Sequence, residues 1–340
     1  MDFNGIDVMS KYGIPYMGSK SFFAEILLKA LPKADHFYDL FGGGFAISHC
    51  AIVSKKWDHV HYNEIKSDVV DLVKSAINGD FNYNKLKPPW ISREDFFKKK
   101  DTDAYIRCLW SFGNNQKDYL FSKENENKKI SLHNAVVFNE FDEFAKYAIG
   151  ISKFSDKLTI TQRRLICRRA IINRQGELQQ LQQLQQLQQL QQLQQLQQLQ
   201  QLQRLQQLER LQQLQQLQQL QQLQQSNLTM SSLDYRDVKI EKNSIIYCDP
   251  PYFKTEHYSN VDKFNNLDFL NWVYENENPI FFSEYECDNR FELIFQKRKR
   301  QMLSAKKATS EKSGQEKIFA NKAGVNALAE YKNAKKLITK

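Results

Sequence analysis

The sequence predicts an α/β fold with a mainly parallel sheet, and three observations support that prediction. A short apolar strand at 36–40 runs into a glycine-rich turn and then into helical spacing at 45–55. A second strand at 59–63 and a second helix at 67–77 follow directly. Two more apolar strands lie towards the other end of the chain. Strand, glycine turn, helix, strand and helix in succession are typical of parallel βαβ units.

The remaining regular elements flank this unit. Helical apolar spacing at 21–31 predicts a helix before the first strand. Apolar runs at 243–248 and 279–283 predict two buried strands, and a helix around 269–274 separates them. The segment 81–177 is rich in aromatic and charged residues with little clean periodicity, which favours an inserted module with several loops.

Residues 178–225 form a Leu-Gln-Gln repeat, with leucine at every third position from Leu178 to Leu223. Leu and Gln favour helix, and no Gly or Pro interrupts the run, so a helix is predicted. Three residues advance about 300° around an α-helix, so the leucine stripe slips by about 60° per repeat and forms no coiled-coil seam. The repeat is interpreted as an expanded low-complexity insertion, a candidate for self-association or partial disorder.

Composition and charge narrow the classes of function. Hydrophobic residues make up 41% of the 340 residues, enough for a sizeable core. Five scattered cysteines without a CxxC pair fit a reduced, cytoplasmic protein rather than a disulfide framework or a zinc site. Neither a signal peptide nor a membrane span is predicted. Residues 297–340 hold thirteen Lys or Arg against three Asp or Glu, which suits a nucleic-acid partner or, equally, a solvated lysine-rich tail.

The most specific motif is Asp249-Pro250-Pro251-Tyr252, directly after the predicted strand 243–248. The Asp249 carboxylate and the Pro250 carbonyl can each accept a hydrogen bond from an amine conjugated to an aromatic ring. Two acceptors bias that nitrogen toward tetrahedral geometry and direct its lone pair at a methyl donor. Consecutive prolines stiffen the turn, and Tyr252 offers a flat face on which a base can stack. The alternative is an ordinary Pro-Pro turn at a strand end.

A second motif, Asp39-Leu40-Phe41-Gly42-Gly43-Gly44, lies between a predicted strand and a predicted helix. Its glycines allow a ligand to approach the backbone and the helix N-terminus closely. Glu64 ends the next strand, 21 residues after Gly43, where an acidic residue commonly accepts hydrogen bonds from ribose hydroxyls.

A third and weaker motif, Pro15-Tyr16-Met17-Gly18-Ser19-Lys20, precedes the first helix. Lys20 is a candidate to face a carboxylate, and Tyr16 is a candidate to stack on an adenine ring. Taken alone, the segment is more simply described as a surface loop that carries a lysine.

The three motifs, in this order, resemble the Dam-like family of adenine-N6-specific DNA methyltransferases. The resemblance covers roughly residues 11–80 and 229–325. Further matching positions are Ser232-Leu233-Asp234-Tyr235, Thr255, Tyr258, Phe264, Phe269, Trp272, Phe282-Ser283-Glu284-Tyr285 and Glu316-Lys317-Ile318-Phe319.

The resemblance implies a Rossmann-like S-adenosylmethionine-dependent methyltransferase sheet with an inserted, largely helical target-recognition region. On this interpretation residues 1–80 form the cofactor-binding part of the catalytic domain. Residues 81–228 form the target-recognition region and carry the repeat at 178–225. Residues 229–340 form the catalytic part and the basic C-terminal end.

The resemblance also assigns roles to individual residues. The implied catalytic residues are Asp249, Pro250 and Tyr252. The implied cofactor-binding residues are Tyr16, Lys20, Phe41, Gly43, Glu64 (at the ribose), Asp234 (at the adenine) and Asp249. The family usually has a small residue or glycine at the position of Phe45, and a positive φ angle there would suit Phe poorly.

The function implied is transfer of a methyl group from S-adenosylmethionine to the exocyclic N6 amine of adenine in double-stranded DNA, without a metal. Arg163, Arg164, Arg168, Arg169 and the basic residues of 297–340 are candidates for phosphate contacts. A cognate restriction endonuclease is a candidate partner. The alternatives are a cytosine-N4 or RNA methyltransferase and a catalytically inactive DNA-binding relative, with a nicotinamide or flavin oxidoreductase further behind.

Overall fold

A computed structural model describes residues 12–81, 87–185, 217–224, 227–252, 264–298 and 315–338, and the structural statements below concern those residues. The chain divides into two compact units. The first unit comprises Met1–Ile14, Gly18–Asp71 and Gln225–Lys340, and the second comprises Pro15–Met17 and Leu72–Gln224.

The first unit contains a seven-stranded sheet. Its strands are β1 (His36–Asp39), β2 (His59–Asn63), β3 (Leu228–Ser231), β4 (Ser244–Cys248), β5 (Ile280–Glu284), β6 (Glu292–Arg298) and β7 (Gln315–Ala320). The order is β3-β2-β1-β4-β5-β7-β6, in which neighbours among the first five strands pair in parallel. Strand β7 is antiparallel to both β5 and β6. The predicted α/β class is confirmed at this level, and the sheet is compatible with a Rossmann-like fold.

The described α-helices are α1 (Ala24–Ala30), α2 (Ala46–Ser54), α3 (Ser67–Asn78), α4 (Arg93–Lys99), α5 (Ala104–Leu109), α6 (Lys123–Phe138), α7 (Glu143–Ile149), α8 (Ile160–Gln185), α9 (Asn266–Glu275) and α10 (Lys322–Ile338). Outside the Leu-Gln-Gln repeat, the helices and strands predicted from the sequence are present, with their ends shifted by a few residues. Strands β3, β6 and β7 have no counterpart among the predicted elements. The boundary between the two units falls within α3.

Two apolar cores cover the two faces of the sheet. Successive side chains of a strand point to opposite faces. Accordingly Phe37 and Phe281 lie in one core with residues of α1 and α2, whereas Tyr38 and Phe282 lie in the other with Phe269 of α9. Because helices cover both faces of the sheet, polar side chains can gather at the edge where the parallel strands end.

The second unit is largely helical where the structure describes it. Helices α6, α7 and α8 share an apolar core that includes Val136, Ile149 and Phe154. Among the described residues, no helix of either unit combines the length and apolarity that a bilayer crossing requires.

The two described ends of the Leu-Gln-Gln repeat are helical. Helix α8 continues through its first leucines to Gln185, and residues 217–220 are helical as well. A 3₁₀ turn follows at Gln221–Leu223, and Leu217, Leu220 and Leu223 are all buried. A 3₁₀ helix has three residues per turn, so it keeps a period-three stripe on one face. The intervening residues 186–216 lie outside the described residues.

Asn63 connects the carboxyl ends of three adjacent strands. Its Nδ2 donates to the carbonyls of Leu40 (3.1 Å) and Leu233 (2.9 Å), just beyond β1 and β3. Its Oδ1 accepts from the Leu233 amide (3.0 Å) and the Ser231 hydroxyl (2.8 Å). Because Asn63 is buried, the removal of its side chain leaves polar backbone groups without these partners.

We therefore expect Asn63→Ala to lower the free energy of unfolding by about 2–4 kcal/mol, measured by urea denaturation. Asn227→Ala is the matched control, because Asn227 is exposed and its side chain donates one bond, to the carbonyl of Asp58. The control should change stability by less than about 1 kcal/mol. Equal effects of the two substitutions would contradict the role assigned to Asn63.

Candidate active site

Acidic side chains from several strands meet at one edge of the sheet. Asp39 ends β1, Glu64 follows β2 and Asp249 follows β4, all at carboxyl ends of parallel strands. Strand β7 runs antiparallel to β5, so its amino end, with Glu316, lies at the same edge. From β1 the chain proceeds through β2 to β3 on one side, and β4 and β5 lie on the other. Open α/β sheets bind ligands at such a switch point.

Backbone hydrogen bonds fix the glycine turn after β1. The Gly42 amide donates to the Asn63 carbonyl (2.8 Å), and the Tyr62 hydroxyl donates to the Gly43 carbonyl (2.8 Å). The Gly43 amide donates to Oε2 of Glu64 (2.9 Å). A Cβ atom on Gly42 would come within 2.2 Å of the Tyr62 ring, so the turn can approach β2 this closely only with glycine there.

Phe45 follows this turn and has a left-handed backbone, with φ of 67°. The sequence marked this position as one where a positive φ would suit Phe poorly, and the structure has that angle. The side chain is fully buried, and its ring meets the Tyr62 ring edge-on at a centroid distance of 5.0 Å. Packing of the ring therefore opposes the backbone strain.

Asp39 is the most deeply buried carboxyl group at this edge. Its Oδ2 accepts hydrogen bonds from the Ser48 amide (3.2 Å) and the Ser48 hydroxyl (2.7 Å). Among the described residues, Oδ1 has no hydrogen-bond partner. Burial raises the pKa of Asp39 to about 7; the bonds from Ser48 oppose this rise, and the charges of Asp249 and Glu64 add to it.

Lys20 forms an ion pair with Asp249. Its Nζ lies 2.6 Å from Oδ2 of Asp249, and the two side chains are only 10% and 17% exposed. Burial raises the pKa of Asp249, whereas the charge and hydrogen bond of Lys20 hold it down. The structure thus brings together two residues that the sequence named separately, at positions 229 residues apart.

The hydroxyl of Tyr252 lies between two carboxylates. It is 2.9 Å from Oε2 of Glu316 and 3.2 Å from Oδ1 of Asp249. Its ring is buried, with Nζ of Lys20 at 5.0 Å from the centroid and the Tyr285 ring edge-on at 4.6 Å. Burial, with the two acidic neighbours, raises the pKa of Tyr252, so the hydroxyl keeps its proton and acts as a donor.

The proline turn is anchored to the following helix. The Pro251 carbonyl accepts a hydrogen bond from Nδ2 of Asn266 (2.7 Å) in α9. The Asn265 side chain caps the same helix by accepting from the amides of Leu267 and Asp268. Of the residues matched downstream of the turn, Thr255 and Tyr258 lie outside the described residues.

The other predicted cofactor-binding residues occupy different surroundings. Glu64 is buried, its Oε1 accepts from the Lys66 amide (3.1 Å), and burial raises its pKa. Phe41 packs in an aromatic cluster beside Tyr235, at a centroid distance of 5.1 Å. Asp234 is paired through both carboxylate oxygens with Arg236, at 2.7 and 2.9 Å.

Tyr16 lies in the short segment Pro15–Met17 of the second unit, so its role stays a prediction. Asp39 and Glu316 belong to the site, although sequence reasoning gave them no role. The signal for Asp39 was its place at the end of an apolar strand before glycines. The signal for Glu316 was an acidic residue at the start of an apolar segment, without any indication that this strand is antiparallel.

No family model matches the sequence, and no curated protein matches it significantly.

The buried Asp39 gives the site a defined pH dependence. Between the unfolded pKa of 3.8 and the folded pKa of about 7, the folded protein binds more protons than the unfolded protein. Stability therefore falls as pH rises through this window. Asp39→Asn keeps an acceptor for Ser48 and removes the ionisable group, so its stability should exceed that of the wild type increasingly from pH 4 to 8.

The difference should reach a few kcal/mol in urea unfolding at each pH, because a pKa difference of one unit corresponds to about 1.4 kcal/mol. At pH 4 the two proteins serve as an internal control, since Asp39 is then largely protonated in the folded state. A difference that is constant across the pH range would contradict the buried, proton-binding state of Asp39.

Proposed function

We propose that this protein is an S-adenosylmethionine-dependent DNA methyltransferase that acts on the exocyclic N6 amine of adenine. The observation that carries the proposal is the position of the Asp249-Pro250-Pro251-Tyr252 turn. It follows β4 at the switch point of the sheet, and Asp249 is paired there with Lys20. The strand order from β3 to β5 supports the finer assignment of a Rossmann-like cofactor-binding sheet.

The charges at this edge fit S-adenosylmethionine, which carries an ammonium and a sulfonium group. Asp39 has a buried carboxylate oxygen without a hydrogen-bond partner among the described residues, which suits a cationic donor. Glu64 beside the glycine turn suits ribose hydroxyls. Burial raises the pKa of Asp39, Glu64 and Asp249, so a bound cation would stabilise their ionised forms. The group supplies an activated methyl on sulfur, so the proposed transfer calls for no metal.

The protein's part in the reaction is to orient and polarise the amine. Asp249 accepts one N–H of the amine, and the Pro250 carbonyl accepts the other, so the nitrogen lone pair is directed along one line. The anchored turn holds both acceptors in place before substrate arrives. In the structure, however, one oxygen of Asp249 is occupied by Lys20. The amine must therefore use the other oxygen or displace Lys20.

An adenine reaches such a buried acceptor only after it leaves the duplex stack, so base flipping is part of the proposal. The second unit supplies a surface for the phosphate backbone. Arg168 and Arg169 are exposed on α8, and Arg163 and Arg164 are half-buried on the same helix. The basic stretch between β6 and β7, residues 299–314, lies outside the described residues.

Asp249→Ala should lower methyl transfer at least about 10³-fold, because the amine no longer has its charged acceptor. Transfer is measured with radiolabelled S-adenosylmethionine, and digestion of the DNA to nucleosides identifies the methylated base. Asp237→Asn is the control, since Asp237 is exposed before β4 and should leave the rate unchanged. Circular dichroism checks that each variant is folded.

Retained activity of Asp249→Ala would overturn the role of Asp249. The nucleoside digest also separates the alternatives, because an N4-methylcytosine or a methylated ribonucleoside would identify a different transferase. Absence of S-adenosylmethionine binding by calorimetry would favour the inactive DNA-binding relative.

Binding to DNA should weaken steeply with salt, and the arginines of α8 should contribute to that dependence. The slope of log K against log salt should become shallower by about 0.9 for each phosphate that the protein no longer neutralises. The double variant Arg168→Gln/Arg169→Gln tests this prediction, with DNA binding measured by fluorescence anisotropy between 50 and 200 mM salt. Over this range the affinity of a protein that neutralises six phosphates falls roughly 10³-fold. Lys153→Gln/Lys157→Gln, also exposed in the second unit, is the matched control. Equal slopes for the two double variants would contradict the assignment.

A further inference from the structure

The Tyr252 hydroxyl has two carboxylate acceptors within reach and one proton to donate. The oxygen of Glu316 is the nearer at 2.9 Å, and that of Asp249 lies at 3.2 Å. A phenolic hydroxyl donates one hydrogen bond at a time. The bond to Glu316 therefore competes directly with a bond to Asp249.

The backbone holds Glu316 in this position. It is only 5% exposed and lies in β7, whose ladder with β5 pairs Ile318 with Ser283 and Lys317 with Glu284. An antiparallel ladder fixes the direction of alternate side chains along the strand. Strand β7, on the far side of β5 from β4, thus holds Glu316 in place, whereas Tyr252 belongs to the turn that carries Asp249.

The consequences for Asp249 differ between its two oxygens. Lys20 occupies Oδ2 at 2.6 Å, and the oxygen within reach of Tyr252 is Oδ1. When the Tyr252 hydroxyl donates to Oδ1 of Asp249, that oxygen becomes a weaker acceptor for a second donor. A hydroxyl that donates to Glu316 leaves Oδ1 as the oxygen on which an amine can be held.

We propose that Glu316 is a positioning residue that draws the Tyr252 hydroxyl away from Asp249 and keeps Oδ1 open to the substrate amine. The inference rests on the proposed function, because it names the residue that sets the acceptor strength of Asp249. It assigns Glu316 no contact with substrate or cofactor. Its effect is transmitted through the direction of one O–H bond.

Four variants test the proposal by steady-state methyl transfer. Glu316→Ala removes the preferred acceptor, so kcat should fall on the order of tenfold with the KM for S-adenosylmethionine little changed. Glu316→Gln keeps an acceptor oxygen and should retain activity within about threefold of the wild type. Tyr252→Phe removes the competing hydroxyl, so adding Glu316→Ala to it should cause little further decrease in kcat. Glu292→Ala, an exposed glutamate in β6, is the matched control.

A kcat for Glu316→Ala equal to that of Glu292→Ala would overturn the proposal. A kcat for Glu316→Gln as low as that of Glu316→Ala would also overturn it. So would a decrease in kcat on adding Glu316→Ala to Tyr252→Phe that equals the decrease caused by Glu316→Ala in the wild type. In either case the effect of Glu316 would not depend on the Tyr252 hydroxyl.

A second measurement does not depend on catalysis. Unfolding midpoints of Glu316→Ala, Tyr252→Phe and the double variant should be non-additive if the two side chains are hydrogen-bonded. Additive shifts would overturn the inference whatever the activity. If the wild-type protein forms no N6-methyladenine, the proposed function is wrong. Non-additive unfolding midpoints in that case would still support the hydrogen bond between Tyr252 and Glu316, but its proposed role in methyl transfer would be wrong.

Discussion

The ion pair between Lys20 and Asp249 lies at an edge of the sheet where negative charge is concentrated. Asp39, Glu64 and Glu316 are buried there as well, none of them more than 8% exposed. Burial of a carboxylate costs several kcal/mol unless a cation or hydrogen-bond donors compensate for it. Burial raises the pKa of Asp39, Glu64 and Asp249, even though the charge of Lys20 lowers the pKa of Asp249 and that of Lys66 lowers the pKa of Glu64. The edge therefore favours a ligand that brings positive charge, which is the property that the proposed cofactor has.

The same edge depends on turns whose shape is held by hydrogen bonds within the protein. The glycine turn is fastened to β2, and the proline turn is fastened to α9. For Phe45, which follows the glycine turn, the cost of the strained backbone can be compared with the gain from burial of the side chain. A left-handed backbone costs roughly 1–2 kcal/mol for an L-residue, whereas burial of a phenylalanine side chain contributes about 1.5–3 kcal/mol. The packing term is the larger of the two, so the structure can keep a bulky residue at a position that suits glycine.

The sequence predicted the parallel core well because its strands are short apolar runs between clear turn and helix signals. Strands β1, β2, β4 and β5 lie in the middle of the sheet, and the predictions for them differ from the structure by at most one residue at either end. Strand β3 is four residues long and only partly buried, so it carries little apolar signal. The hydrogen bond between Tyr252 and Glu316 joins residues 64 apart and depends on β7 running antiparallel. Local patterns do not encode that direction, so the sequence alone assigns no role to Glu316.

The Leu-Gln-Gln repeat obeys a geometric rule that is separate from the site. Each added unit of three residues rotates a following α-helical face by about 300°, so a change in repeat number turns that face by about 60°. In a 3₁₀ turn the rotation is a full circle, and the stripe stays aligned. The repeat ends in such a turn at Gln221–Leu223, and Gln218 and Gln224 donate to the carbonyls of Phe81 and Asn78 within the second unit. Leu223 lies in this turn, whereas Leu217 and Leu220 lie in the helical segment before it, so local packing positions the buried leucines at that end.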